Sequence, residues 1–244
     1  MNKGAVSLMF SGGVDSTVAA VFLSQEYEKV HLLTYCNGHG HYHMTKSRDR
    51  AEELNRKLGN KFVHRLISIE ELFERMVLDT LLEDYQKYRS AFIWCMGCKM
   101  AMHTRSIIYN IENDIRFMCD GSSQDTSEMV EQMLMSVSMV KMFYKKYGID
   151  YSVPVYELSR EEKRKMLQEM KFKMGIPIRD RYLGIQPKCI PGEIYYMPYL
   201  LFNKALEHEE MRVVQFIQQK QQYAEHYIEG CLQNGKVLRR QECL

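Results

Sequence analysis

Ser11-Gly12-Gly13-Val14-Asp15-Ser16-Thr17 follows the apolar run Ala5-Val6-Ser7-Leu8-Met9-Phe10, and this pairing suits phosphate binding. The run reads as a buried strand, and the next residues as a glycine turn that opens a helix. Glycine has no Cβ, so backbone N–H groups can come close to a ligand. The helix behind the turn presents unpaired N–H donors and roughly half a positive charge. Together they make a pocket for an anion. It is not a Walker A loop, because the Gly-Lys-Ser/Thr ending is missing. Helix capping alone explains a Ser or Asp at this place, but not two glycines beside two hydroxyls.

The chain's seven cysteines give a second set of reactive groups. Cys95-Met96-Gly97-Cys98-Lys99 is expected to open a helix, whose positive end favours thiolate. Cys189 lies in Gln186-Pro187-Lys188-Cys189-Ile190-Pro191-Gly192, an irregular loop that suits a ligand more than a core residue. Cys36, Cys119 and Cys231 read as packing residues, and Cys243 as part of a mobile end. Lys99 and Lys188 flank the cysteines and are candidates to steer an anion. A third candidate is Gly38-His39-Gly40-His41-Tyr42-His43. Its alternate histidines lack a carboxylate or cysteine to complete a metal site, so the expected role is contact with ligand at a cleft rim.

Strands and helices alternate along the chain. Further strands are predicted at Val30–Tyr35, Lys61–Ile67, Asp114–Cys119 and Tyr151–Val155, with helices between them, one of them over about Glu128–Tyr147. Ser159 and Glu162 form a capping box that starts another helix. This pattern predicts an α/β fold, a Rossmann-like parallel five-stranded sheet covered on both faces. Ligands bind beyond the carboxyl ends of such strands, which places the Ser11 loop, the Cys36–His43 loop and the Asp120–Asp125 loop on one edge. In that last loop Gly121 would allow close approach, and Asp120 or Asp125 could hold Mg²⁺. The predicted division is a catalytic domain over residues 1–198 and a helical extension over 199–244, the latter an appendage or a homodimer contact.

Composition narrows the setting. Apolar residues make up 45% of the 244 positions, ample for a core, and no run reaches the roughly 18 residues of a membrane span. The start of the chain lacks a signal-peptide pattern, so a cytoplasmic, reducing setting without disulfides and without membrane contact is expected. Lys141 to Ile190 holds twelve Lys and Arg against six Asp and Glu, which suits a polyanionic partner.

The string S-G-G-x-D-S at Ser11–Ser16 resembles the signature of the PP-loop ATP pyrophosphatases, which transfer AMP from ATP to a substrate oxygen and release pyrophosphate. The resemblance implies ATP and Mg²⁺ held by Ser11, Gly12, Gly13, Asp15, Ser16, Thr34, Gly121 and Asp125, with Asp15 and Ser16 also catalytic. A C-x-x-C with one later cysteine is similar to one branch, the iron–sulfur sulfurtransferases that include tRNA 2-thiocytidine and 2-thiouridine synthetases. Ile176-Pro177 ahead of Cys189 has the character of that branch. By that likeness Cys95, Cys98 and Cys189 would hold a [4Fe-4S] cluster and act in catalysis, sulfur coming from a separate donor. The substrate would be tRNA or a nucleobase-like small molecule.

Other readings stay open on the residues alone. A clusterless enzyme would carry sulfur as a persulfide. Zn²⁺ on the cysteines would point to an amide- or nitrile-forming ligase similar to 7-cyano-7-deazaguanine synthase, although a fourth ligand is not evident. Core cysteines, or a nucleotide-binding module without catalysis, are the remaining alternatives.

Overall fold

Along β1 (Lys3–Met9), Val6 and Leu8 point to one face of a sheet and Met9 to the other, and all three are buried. The same alternation runs through β2 (Tyr27–Cys36), where Val30 and Leu32 oppose Leu33 and Tyr35. Strands buried on both faces are what a parallel sheet requires. The structure, a computed structural model, describes residues 3–174, 186–202 and 207–233. Ile176, Pro177 and Cys243 lie outside the described residues.

A five-stranded sheet, ordered β4-β2-β1-β5-β6 and parallel throughout, forms the centre of the molecule. Its other strands are β4 (Phe62–Ser68), β5 (Phe117–Cys119) and β6 (Asp150–Ser152), while β3 (His41–Tyr42) lies outside it. α1 (Val14–Glu26), α2 (Lys46–Leu58) and α7 (Arg160–Glu169) bury Ala19, Leu54 and Leu167 with Val6 and Leu8 on one face. The opposite face packs α5 (Phe92–Glu112) and α6 (Leu134–Lys145). Short helices α3 (Glu70–Phe73), extended by a π turn over Glu74–Leu78, and α4 (Leu81–Tyr88) lead into α5.

Beyond α7, β7 (Lys188–Cys189) runs into α8 (Ile190–Phe202), and α9 (Glu210–Gln233) completes the described elements. α9 buries Val213, Phe216, Ile217 and Ala224 in the cluster that also holds Met96 and Met100 of α5. Its Lys220 ammonium donates at 2.6 Å to Asp84 and at 2.6 Å to the Met76 carbonyl, an anchor from α9 to α4 and the π turn.

The five predicted strands are present, two of them shortened. Asp114 takes a left-handed φ of 52°, so β5 starts only at Phe117. β6 ends at Ser152, ahead of Pro154, which has no N–H for a ladder. The helix expected from Glu128 begins at Leu134, because Met133 is extended at ψ 140°. The capping box is formed as predicted, with Ser159 and Glu162 each bonding the other's backbone.

His103, which is buried, and His64, which is half-buried, are expected to make the fold sensitive to acid. Burial lowers His64 to about 4, aided by the charges of Arg48 and Arg65. Burial and then the Lys99 charge lower His103 to about 3. The unfolded chain takes up these protons near the ordinary value of about 6.5. Stability is therefore full above that value and is lost as pH falls toward 4. Two protons give a slope of up to about 2.7 kcal/mol per pH unit. Urea midpoints at pH 7, 6 and 5 should drop accordingly, and a flat series would contradict this assignment.

Candidate functional site

The Ser11–Gly13 turn is held from three sides. Gly12 needs its φ of +77°, and α2 closes behind it, with the Ser47 Cα only 3.3 Å from where a Cβ would stand. Arg50, 4% exposed, donates to the Gly12 carbonyl at 3.3 Å, to Glu53 at 2.6 Å and to the Lys173 carbonyl at 2.6 Å. The Ser11 hydroxyl accepts from the Gly13 N–H at 3.2 Å and lies 3.2 Å from the Ser16 hydroxyl. Gly13 is the N-cap of α1 and brings no side chain to bond its first N–H groups. A helix start of this kind is suited to an anion.

Gln186 lies across the turn. It accepts from the Ser11 hydroxyl at 3.3 Å, and its Oε1 stands 1.8 Å from where a Gly13 Cβ would be. Arg50 and Gln186 are parts of this loop that sequence reasoning missed, since nothing local marks either residue.

The loop after β5 docks on α1. A Cβ on Gly121 would come within 2.8 Å of the Ser16 N, so Gly121 approaches the helix start and not open space. Asp120 is fully engaged: Lys99 and Tyr151 donate to Oδ2 at 2.8 and 2.7 Å, and the Ser122 N–H to Oδ1 at 2.8 Å. Burial pushes the Asp120 carboxyl up, but the Lys99 charge and these donors outweigh it and hold it well below the carboxylate range. Asp120 is thus a structural anion, and Asp125 is the other carboxylate of this loop. Asp125 is exposed and accepts from the Arg160 N–H at the start of α7. Thr34 is buried, its hydroxyl donating to the Phe10 carbonyl at 2.6 Å and lying 3.0 Å from His64. Its hydroxyl therefore braces β1 from behind the loop.

Lys163 is the residue least foreseen. It is 0% exposed, yet its ammonium reaches Asp15 Oδ1 at 2.6 Å and the Ser123 hydroxyl at 2.6 Å. In the run Ser159-Arg160-Glu161-Glu162-Lys163-Arg164-Lys165 it reads as one more charge on a solvated helix face.

Cys95, Cys98 and Cys189 come near one another. β3 and β7 form a two-residue antiparallel ribbon that pairs Cys189 with His41. His41 Nε2 is 4.0 Å from the Cys98 sulfur, to which Asn37 donates at 3.4 Å. A side chain on Gly192 would come within 3.7 Å of both the Cys95 and the Cys189 sulfur. Glu131, which accepts from Tyr196 at 2.7 Å, lies close enough to raise the Cys95 thiol.

The expectation of ready thiolates is corrected here. Cys95 and Cys98 lie within α5 and are enclosed, and burial pushes both thiols above the ordinary range. Burial also raises Cys189, against the pull of the Gly192 N–H and Trp94. Positive charge on a bound metal would be what keeps such sulfurs ionised.

The donor set fits an iron–sulfur group better than one zinc ion. Thiolates on a tetrahedral zinc stand roughly 3.8 Å apart, from Zn–S bonds of about 2.3 Å. Among the described residues, these three sulfurs do not form a set lying within 4.8 Å of one another. A cluster takes one thiolate per iron and spreads them wider. The Trp94 side chain, whose buried Nε1 meets no oxygen or nitrogen acceptor among the described residues, lies against the Cys189 sulfur. Cys119 is buried, Cys36 ends β2 and Cys231 lies on α9.

Lys99 and Lys188 are not free to steer an anion. Lys99 pairs with Asp120 at 2.8 Å, and Lys188 with Glu193 at 2.6 Å. The histidine loop divides its residues. His41 faces Cys98, whereas His39 lies 3.1 Å from Glu74 and stacks on Phe73. His39, Glu70 and Glu74 each bring a ligand atom within 4.8 Å of the others, so the carboxylates missing from the loop come from α3 and the π turn.

A parallel sheet in this order, with an S-G-G-x-D-S loop leaving its central strand into a helix, has the architecture that the resemblance to the PP-loop ATP pyrophosphatases implies. The chain belongs to a family of unknown function (DUF7411), whose model matches residues 4–175. No curated protein matches it. Among solved structures it is similar to a predicted tRNA methyltransferase subunit from Methanocaldococcus jannaschii, at 22% identity and TM-score 0.44, covering 68% of this chain and 75% of that one. The U34-tRNA thiolase NcsA from Methanococcus maripaludis, solved with its [4Fe-4S] cluster, gives 14% and 0.49 over 93% and 74%. The NMN synthetase from Francisella tularensis gives 16% and 0.48 over 92% and 86%. Overlaps with TM-scores below 0.5 do not assign an activity.

Proposed function

We propose that this protein is an ATP-dependent sulfurtransferase that adenylates a substrate oxygen and then replaces AMP with sulfur. The observation that supports it most is the short link between two chemistries. Gln186 touches Ser11, and Cys189, three residues later, faces Cys95. Three residues span at most about 11 Å. A second link runs from Cys98 through its neighbour Lys99 to Asp120, whose neighbour Gly121 rests on Ser16.

In this reading the N–H groups of the Ser11–Gly13 turn and the open end of α1 hold the ATP phosphates. Asp15 and Asp125 supply carboxylate oxygens for Mg²⁺, a ligand type that ion favours. The substrate oxygen attacks the α-phosphorus, the bond to the β-phosphate breaks, and the loop donors stabilise charge on the departing pyrophosphate. Hydrosulfide then attacks the activated carbon, a C–S bond forms, and AMP leaves with the former substrate oxygen. Cys95, Cys98 and Cys189 would hold a [4Fe-4S] cluster; when bound, it offers one iron without a protein ligand, as a place for sulfide. Around it, Asn37 and Trp94 direct N–H groups at the sulfurs, and Tyr196 and Glu131 close the side of Cys95.

The substrate class is a nucleobase, either in tRNA or free. The basic stretch from Lys141 to Ile190 supports a polyanion, and α7 carries part of it to the phosphate loop. Incubation with ATP, sulfide and bulk tRNA should give AMP and pyrophosphate together with sulfur-labelled RNA. ADP and phosphate as the only products would contradict adenylation. AMP formed with ammonia, and none with sulfide, would favour the nitrogen ligase.

A further inference from the structure

Asp15 is the carboxylate at the mouth of the phosphate loop, 41% exposed, but its two oxygens are not equivalent. Oδ1 forms an ion pair with the buried Lys163 ammonium at 2.6 Å. Oδ2 has no hydrogen-bond partner among the described residues. Lys163 is fixed in turn by the Ser123 hydroxyl at 2.6 Å, and Ser123 belongs to the loop that docks Gly121 on Ser16. α7, which carries Lys163, packs directly on α1. The lysine therefore acts as a clamp that reaches Asp15 from the protein interior.

We propose that Lys163 is a positioning residue that makes Asp15 a one-oxygen ligand and thereby selects Mg²⁺ over Ca²⁺ at the nucleotide phosphates. This rests on the ATP-binding reading above. Mg²⁺ is small, demands near-octahedral geometry at about 2.0–2.1 Å and takes carboxylates through single oxygens; Ca²⁺ accepts two-oxygen carboxylates at about 2.3–2.6 Å. A carboxylate whose Oδ1 is held by an ammonium cannot turn both oxygens to one ion. Without the clamp, Asp15 is free to chelate through both and the discrimination disappears. A clamp with only a structural role would change stability and leave the preference between the two ions untouched.

The test is the affinity of the full-length protein for ATP, titrated in Mg²⁺ and separately in Ca²⁺, for wild type and Lys163→Met, with melting temperatures recorded. Methionine keeps the unbranched stem in the core and removes the ammonium. The expected wild-type preference for Mg²⁺ is at least about tenfold, falling to roughly one in the variant through tighter binding with Ca²⁺. Should Lys163→Met not fold, Ser123→Ala loosens the clamp while keeping the ion pair, and its preference should fall between the two. An unchanged preference in a folded variant overturns the assignment of Lys163 and leaves the ATP reading in place. A wild-type protein that binds ATP with neither ion overturns the ATP reading, and the clamp with it.

Discussion

Ser11→Ala and Asp15→Asn are each expected to lower ATP-dependent release of AMP and pyrophosphate by about a hundredfold or more, the usual cost of losing a placed transition-state contact. The Ser11 hydroxyl orders the turn by accepting from the Gly13 N–H and meeting Ser16 and Gln186. Without it the N–H groups lose their common aim. Asp15 presents its free oxygen at the same mouth, and an amide there cannot neutralise a cation. Asn is preferred to Ala, because Ala would leave the Lys163 ammonium buried with only Ser123 as partner. Breaking a buried pair costs about 3–5 kcal/mol, less here because Asp15 is 41% exposed. Asp15→Ala should therefore melt well below wild type, whereas Ser11→Ala should melt close to it. Product formation at the wild-type rate in either Ser11→Ala or Asp15→Asn would remove this loop from the reaction.

Alanine at Cys95, Cys98 or Cys189 is expected to empty the metal centre and stop sulfur transfer, with ATP binding retained. The three sulfurs face one space, and none has a substitute ligand nearby of the same softness. Alanine at Cys36, Cys119 or Cys231 should leave metal content unchanged. Cys119, 2% exposed and 3.2 Å from the Ser152 hydroxyl, should lose only about 1 kcal/mol of stability. Trp94 is the chain's single tryptophan and precedes Cys95, so its fluorescence reports the centre directly. Quenching on metal loading should appear in wild type and vanish in the three cysteine variants. Persistence of metal in any one of them would exclude that residue as a ligand.

The parts of this molecule that were legible in sequence are those written locally. Val6-Ser7-Leu8-Met9-Phe10 and Val30-His31-Leu32-Leu33 announce strands buried on both faces, and Ser159 with Glu162 announces a helix start. The glycine turn and helix start at Ser11–Thr17 were legible for the same reason. What escaped was set by tertiary pairing. β3 and β7 are two residues each, too short to show a period, yet their ribbon delivers Cys189 to His41. Lys163 reads in sequence as a surface charge and Lys99 as a group to steer an anion, and only the packing of α7 on α1 and of α5 under the β5 loop gives them Asp15 and Asp120. The thiols were misjudged because a helix start favours thiolate, whereas the depth of burial around Cys95 and Cys98 outweighs it.

Iron and acid-labile sulfide measured on wild-type protein purified without oxygen test the central claim most directly. A brown protein with about four irons and as many sulfides per chain, the content of a cubane cluster, is expected. One zinc per chain with no iron, or no metal in protein that still forms AMP and pyrophosphate, would contradict it.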